Sequence, residues 1–418
     1  MEINPEKDQP ATLRIASGAI WHGEGVPRPG VVVVEKGLIA AVEEPAEAKV
    51  DLGDALLCAG LVNSHCHLDL TIERATETLD GPFDDWLRGV VETRANLGDA
   101  GLIAAARGGI DALIAGGATA VIDIDPAGHS ISALADSPLK LLVLREVIAF
   151  GEDGFPDFDL LAGHLTAGAD NPRELRGLSP HSPYTVHPAL LADLVSLSER
   201  HQAPWAMHVG EAPWEEQLLV EGSGPGADLI AGAGGDPREF RLGRTIIEEL
   251  NARGLLSPRS LMVHGNESSE RELRLLAEAG AALVWCPRSH DFFGRGPHRA
   301  AAAATYGLRV LLGTDGQVSA GNLSMVEEIA RARSTAPALP AELFWRMAVT
   351  HPRDWFADAG HPRFLGSGRL QPGDPADLVA VSIPDGDGPL LERALSGEVL
   401  GTWIDGRALQ PELFEDAQ

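Results

Sequence analysis

The chain has 418 residues, 44% of them hydrophobic and 22% charged, the make-up of a large globular protein. Its formal net charge of −28 excludes phosphate-backbone binding as a primary role, because that needs clustered lysine and arginine. No apolar run approaches the ~18 residues of a spanning helix, so neither nucleic acid nor membrane is expected as a partner.

The opening MEINPEKDQPATLRIASG lacks the basic and apolar regions of a secretion signal and predicts a cytoplasmic protein. Residues 11–50 alternate short β-type runs with turns, as in Leu13-Arg14-Ile15, Val31-Val32-Val33-Val34 and Leu38-Ile39-Ala40-Ala41-Val42. The same texture returns in Asp377-Leu378-Val379-Ala380-Val381 and around Trp403. Neither segment buries a core alone, so the two are expected to pair into a small β-sandwich. Between them lie eight apolar β-rich runs, at 56–63, 119–125, 139–147, 176–180, 203–209, 260–264, 281–286 and 308–314. Segments of helical periodicity, such as 190–199 and 270–279, separate them. The expected fold is an α/β (β/α)8 TIM barrel with a β-sandwich built from both termini. The expected division is 1–55 and 366–418 for the sandwich and 56–365 for the barrel. Cys58, Cys66 and Cys286 are far apart and lack C-x-x-C spacing, offering neither a disulfide framework nor a thiolate zinc site.

In such a barrel the chemistry collects at the C-terminal ends of the strands. Run one ends in His65-Cys66-His67, and residues i and i+2 of a strand share a face. Run four ends in His181, run five in His208 with Glu211 just beyond, run six in His264 and run eight in Asp315. Imidazoles with a carboxylate suit zinc or ferrous iron. Three histidines and one aspartate leave a coordination position for a water, which the metal acidifies. Glu211, outside that set, is placed to move the proton.

The motifs GLVNSHCHLD, SPHSPYTV, MHVGE, VHG, CPRSH and GTDG resemble those of the amidohydrolase superfamily. More narrowly, they are similar to its branch of nucleoside and nucleobase deaminases and triazine chlorohydrolases, over nearly the whole chain. The resemblance implies that His65, His67, His208 and Asp315 bind one divalent metal, Zn2+ ahead of Fe2+. It implies that Glu211 and His264 manage protons and orient the attacked group, that Asp315 accepts the proton of the attacking water, and that His181 contacts substrate. A two-metal version needs a carboxylated lysine at the end of strand four. That end here is Pro180-His181, which makes the site mononuclear.

Pro82-Phe83-Asp84-Asp85-Trp86-Leu87 resembles the P-x-x-E-W-L loop of S-adenosylhomocysteine and methylthioadenosine deaminases, which makes Asp85 and Trp86 substrate-binding candidates. Arg145 is a candidate for an anionic substrate tail. His290 replaces the asparagine usual in C-P-x-S-N and, with Arg288, completes the candidate set. The implied reaction is deamination of an aminopurine nucleoside: adenosine, methylthioadenosine, adenosylhomocysteine or aminodeoxyfutalosine. The implied partners are a small-molecule substrate and further copies of the chain, as a homo-oligomer. The alternatives are cleavage of another C–N or C–Cl bond in a nitrogen heterocycle, as in triazine chlorohydrolases or cyclic amidases, and a non-catalytic binding protein on the same fold. Glu211 favours deamination, because ammonia must be protonated to leave whereas chloride need not be.

Overall fold

The computed structural model describes residues 12–72, 82–134, 137–305 and 307–410. Five strands precede the barrel: β1 (Leu13–Ile20), β2 (Arg28–Glu35), β3 (Leu38–Glu43), the two-residue β4 (Val50–Asp51) and β5 (Ala55–Ala59). The barrel strands are β6 (Leu61–Cys66), β7 (Ala118–Asp125), β8 (Lys140–Val147), β9 (Glu174–Pro180), β10 (Trp205–Val209), β11 (Ser260–His264), β12 (Ala282–Trp285) and β13 (Arg309–Leu312). Three more follow: β14 (Leu378–Ser382), β15 (Val399–Ile404) and β16 (Arg407–Ala408).

Strands β6 to β13 pair in sequence order in one eight-stranded sheet, and every described pairing within it is parallel. The first and last strands meet at their upper ends. The Asn63 amide donates to Thr314 Oγ1 (2.7 Å), Thr314 N donates to Asn63 Oδ1 (3.0 Å) and Asp315 N to the His65 carbonyl (3.0 Å). Gly313 is required there, because a Cβ would lie 2.7 Å from the His65 nitrogen. The second sheet runs β16-β15-β14-β5-β1-β2-β3, with β4 beside β1, and joins strands from both termini.

The first apolar run is therefore two strands, not one. β5 pairs antiparallel with β14 and parallel with β1 in the terminal sheet, while β6 opens the barrel. Gly60 makes the step between them, where a Cβ would fall 2.2 Å from the Thr119 side chain. Its N–H donates to Asp377 O (2.9 Å) and its carbonyl accepts from Arg353 Nη2 (2.9 Å). The same buried guanidinium donates to Val349 O (2.7 Å) and Leu365 O (3.1 Å). Three carbonyls would lose a charged donor in Arg353→Met. The variant is expected to lose about 2–4 kcal/mol, read from the urea midpoint, and an unchanged midpoint would refute the role.

Period two along β8 decides which side chains reach the barrel interior. Leu142 and Leu144 belong to the apolar cluster that includes Ile122, Ala206, Phe356 and Phe364, while Leu141 and Val143 belong to the other, larger core. Glu146 continues the first series and Arg145 the second. Among the described residues no helix is long and apolar enough to cross a membrane.

Candidate active site

Five side chains converge above the barrel. The ligand atoms of His65, His208 and His264 lie within 4.8 Å of one another, as do those of His65, His67 and Asp315. His65 belongs to both groups. Its Nε2 is 3.4 Å from Asp315 Oδ1, and His67 Nε2 is 3.7 Å from the same oxygen. The remaining oxygen of Asp315 accepts from Ser289 Oγ (2.7 Å) and Ser319 Oγ (3.0 Å), which turns Oδ1 toward the histidines. His208 Nδ1 lies 2.8 Å from the His181 carbonyl, so it carries the proton and leaves Nε2 unprotonated, the arrangement by which a histidine is oriented at metal sites. His264 and Asp315 both hold left-handed backbone, at φ 69° and 64°. For histidine that conformation is uncommon, and it turns the side chain at the strand end.

Both ring nitrogens of His65, Nδ1 of His67 and Nε2 of His264 are buried without a hydrogen-bond partner. Buried polar atoms rarely stay unpaired, and orphaned imidazole nitrogens within this cluster fit a cation. Burial, then the His65 ring, pushes the pKa of His67 well below the ordinary imidazole value. Burial likewise holds down His208, with His181 adding to it, and His264. Burial alone would raise Asp315, but the His65 ring, with Nε2 3.4 Å from Oδ1, and the other surrounding rings outweigh it and hold the carboxyl well below its usual range. Neutral imidazoles and an ionised aspartate are the forms a divalent metal binds.

Glu211 stands beside this cluster, with Oε1 3.6 Å from His264 Nε2 and Oε2 accepting from the Tyr184 hydroxyl (3.2 Å). Burial first, then the charges of Asp315 and Glu215, pushes its pKa up to about 8. Its loop is braced by Glu215, whose carboxylate accepts from Gly210 N (2.7 Å) and Glu211 N (3.3 Å).

Of the six substrate-binding candidates, the structure brings two to the site. Trp86 is buried and lines the pocket between Phe83 and Val90. His181 also lines it, with Nδ1 2.7 Å from Thr185 Oγ1 and its ring 4.8 Å from that of His208. Asp85 is exposed and paired with Arg88 (2.6 Å). Its neighbour Asp84 instead accepts from the Trp214 indole (2.7 Å). Arg145 opens onto a separate groove with Leu160 and His164. Arg288 is bound by Glu328 and Asn322, tying the helix Pro287–Phe292 to the helix Met325–Thr335. His290 engages Asn266 Oδ1 (2.9 Å) and the Gly296 carbonyl (2.6 Å), which leaves neither ring nitrogen for a substrate.

Tyr184, Glu146 and Arg94 face the site without having been predicted to. Tyr184 lies three positions past His181 in SPHSPYTV, so the motif itself carried it. Glu146 Oε1 is 3.8 Å from His181 Nε2, and the strand parity that turns Arg145 out is what turns it in. Arg94 pairs with buried Asp69 (3.1 Å) from the middle of the helix Phe83–Ala115, and no local pattern marks it.

A parallel eight-stranded barrel with histidines and a carboxylate at its strand ends defines a metal-dependent hydrolase, and the chain belongs to the amidohydrolase family, whose model matches residues 56–409. It is 30% identical to the 5-methylthioadenosine/S-adenosylhomocysteine deaminase of Halobacterium salinarum, over 91% of this chain and 85% of that one. It is 32% identical to the aminodeoxyfutalosine deaminase of Deinococcus radiodurans, over 78% and 81% respectively. The fold is shared with a zinc-bound adenosine deaminase of Xanthomonas campestris, at a TM-score of 0.79 and 24% identity over 97% and 96% of the two chains.

Proposed function

We propose that the protein hydrolytically deaminates a 6-aminopurine nucleoside, with one zinc ion held by His65, His67, His208 and Asp315. The observation that carries this reading is the buried Glu211 carboxyl, 3.6 Å from His264 and beside the cluster, whose pKa burial pushes upward. Relatives that act on methylthioadenosine, adenosylhomocysteine and aminodeoxyfutalosine support the substrate class. A zinc ion held by His65, His67, His208 and Asp315 would acidify a bound water and so supply the nucleophile. Glu211 gives its proton to the ring nitrogen beside the attacked carbon, and Asp315 accepts the proton of the attacking water. His264 orients the oxygen as it adds. The carbon–nitrogen bond to the exocyclic amine then breaks as the amine takes the proton held by Asp315, the added hydroxyl returns its own proton to Glu211, and ammonia leaves with the ring carbon as a carbonyl. The leaving group's need for a proton is what favours ammonia over chloride.

Zinc-loaded protein is expected to release ammonia from at least one of adenosine, methylthioadenosine, S-adenosylhomocysteine and aminodeoxyfutalosine, and none from cytosine. Ammonia from none of the four, with chloride from a chlorotriazine, would overturn the reading.

A further inference from the structure

His264 leaves its strand in a way that deprives its carbonyl of a ladder partner. The described register of β11 on β12 ends at Val263 and Val284, and left-handed backbone at His264 (φ 69°) turns the next peptide out of the ladder. His264 is buried, so its carbonyl needs a donor from elsewhere. That donor is Nε2 of His298, 2.9 Å away and 34 positions later in the chain. The place of the proton on the His298 ring is fixed, because Nδ1 accepts from the Ala300 N–H (2.9 Å). Burial, then the His290 ring, pushes the pKa of His298 down to about 3, which keeps the ring neutral with a single proton to give.

The His298 ring is itself held on two sides. Its face stacks on Trp285, the last residue of β12, at 5.2 Å and 17°, and it meets the His290 ring at 5.0 Å. His290 in turn ties together the segments that carry His264 and His298. Its Nδ1 lies 2.9 Å from Oδ1 of Asn266, just past His264, and its Nε2 lies 2.6 Å from the carbonyl of Gly296, just before His298. Arg299 adds a further tie, from Nη1 to the Ser268 carbonyl (3.2 Å). Among the described residues, neither His290 nor His298 lines the metal pocket or joins the candidate ligand groups. What both touch is the turn that carries His264, whose Nε2 stands 3.6 Å from Glu211 Oε1.

We propose that His298, clipped in place by His290, is a positioning residue that sets the direction of the His264 ring through the His264 carbonyl. Its part in turnover rests on the deaminase reading, in which His264 orients the added oxygen; the hydrogen bond does not. Asparagine, usual at position 290 in the C-P-x-S-N motif, is shorter and has no ring to set against His298. The departure from that motif and the donor eight residues later therefore form one device.

The test is a double-mutant cycle. His298→Phe keeps a flat ring on Trp285 and removes the donor, while His298→Gln keeps an N–H at the end of the side chain. kcat and KM are measured on zinc-loaded wild type, H298F, H298Q, H264A and H264A/H298F, using whichever of the four nucleosides wild type deaminates fastest. H298F should lose roughly 10- to 100-fold in kcat, the effect of an unpaired buried carbonyl and a misdirected side chain. Its KM and zinc content should change by less than about twofold, and H298Q should recover most of the loss. In the H264A background, adding H298F should alter kcat by less than about twofold, since no ring is left to position. An unchanged kcat in H298F, the full loss repeated in the H264A background, or zinc lost from both His298 variants would overturn the proposal. Chloride release from a chlorotriazine is followed on the same five proteins. Chloride without ammonia from wild type, with the same cycle read on chloride, would defeat the deaminase reading and leave the positioning of His264 standing.

Discussion

Asp315→Ala is expected to give a protein that neither retains a divalent metal nor turns over substrate. One Asp315 oxygen faces His65 and His67, and the other is fixed by two serine hydroxyls. Truncation therefore removes the carboxylate proposed to bind the metal, whose orientation is already set, and strips two donors of their acceptor. After dialysis, metal analysis should find under ~0.2 equivalents, and ammonia release should fall roughly 1,000-fold or more. The left-handed φ of 64° adds strain for alanine, so Asp315→Asn is the companion variant. Asparagine tolerates that backbone and keeps the shape while losing the negative charge. Full metal occupancy with near-normal turnover in either variant would contradict the assignment.

Glu211→Gln is expected to behave oppositely toward the metal. The amide keeps the side chain's size and the four proposed metal ligands are untouched, so metal content should stay at the wild-type level. Turnover should fall roughly 100- to 10,000-fold, the range for losing a positioned acid–base group. Stability supplies a second readout. The folded pKa of Glu211, about 8, lies above its ordinary value of 4.5, so the folded state holds this proton more tightly than the unfolded chain does. The stabilisation is complete below about pH 4.5 and is lost as pH rises through 8. A neutral glutamine escapes that loss. Compared without metal at pH 9, Glu211→Gln should therefore be the more stable protein, by on the order of 1–3 kcal/mol. Near pH 4.5 the difference should vanish. Melting curves at the two pH values check the sign, and near-normal ammonia release would sink the proton-transfer role.

The barrel was legible in the sequence, and so was the convergence of five side chains, because His65 and His67 close β6, His208 and His264 close β10 and β11, and Asp315 follows β13. Nothing beyond those strands is needed to predict that His65, His67, His208, His264 and Asp315 point upward together. The substrate contacts were not legible in the same way. Arg145 and Glu146 are adjacent, and only the parity of β8 with its core residues decides which one turns inward. Arg288 was spoken for by Glu328, 40 positions later in the chain, a partnership no local pattern announces. His290 likewise fills its hydrogen bonds with Asn266 and Gly296. A short apolar run also gives no sign of where it changes sheets: residues 56–63 read as one strand, and only the different partners on either side of Gly60 divide them into β5 and β6.

That change of sheets matters to the chain while it is being made. β5 is separated by one residue from the strand bearing His65, yet its antiparallel partner β14 comes roughly 300 residues later. At ribosomal rates of about 5–20 residues per second, the edge that β14 will occupy stays open for roughly 15–60 s on each nascent chain. All five residues of β5 are buried once folding is complete, which makes that edge an apolar template for any passing strand. The interval before β14 emerges, rather than the lifetime of the finished enzyme, is when this chain is most open to misassembly.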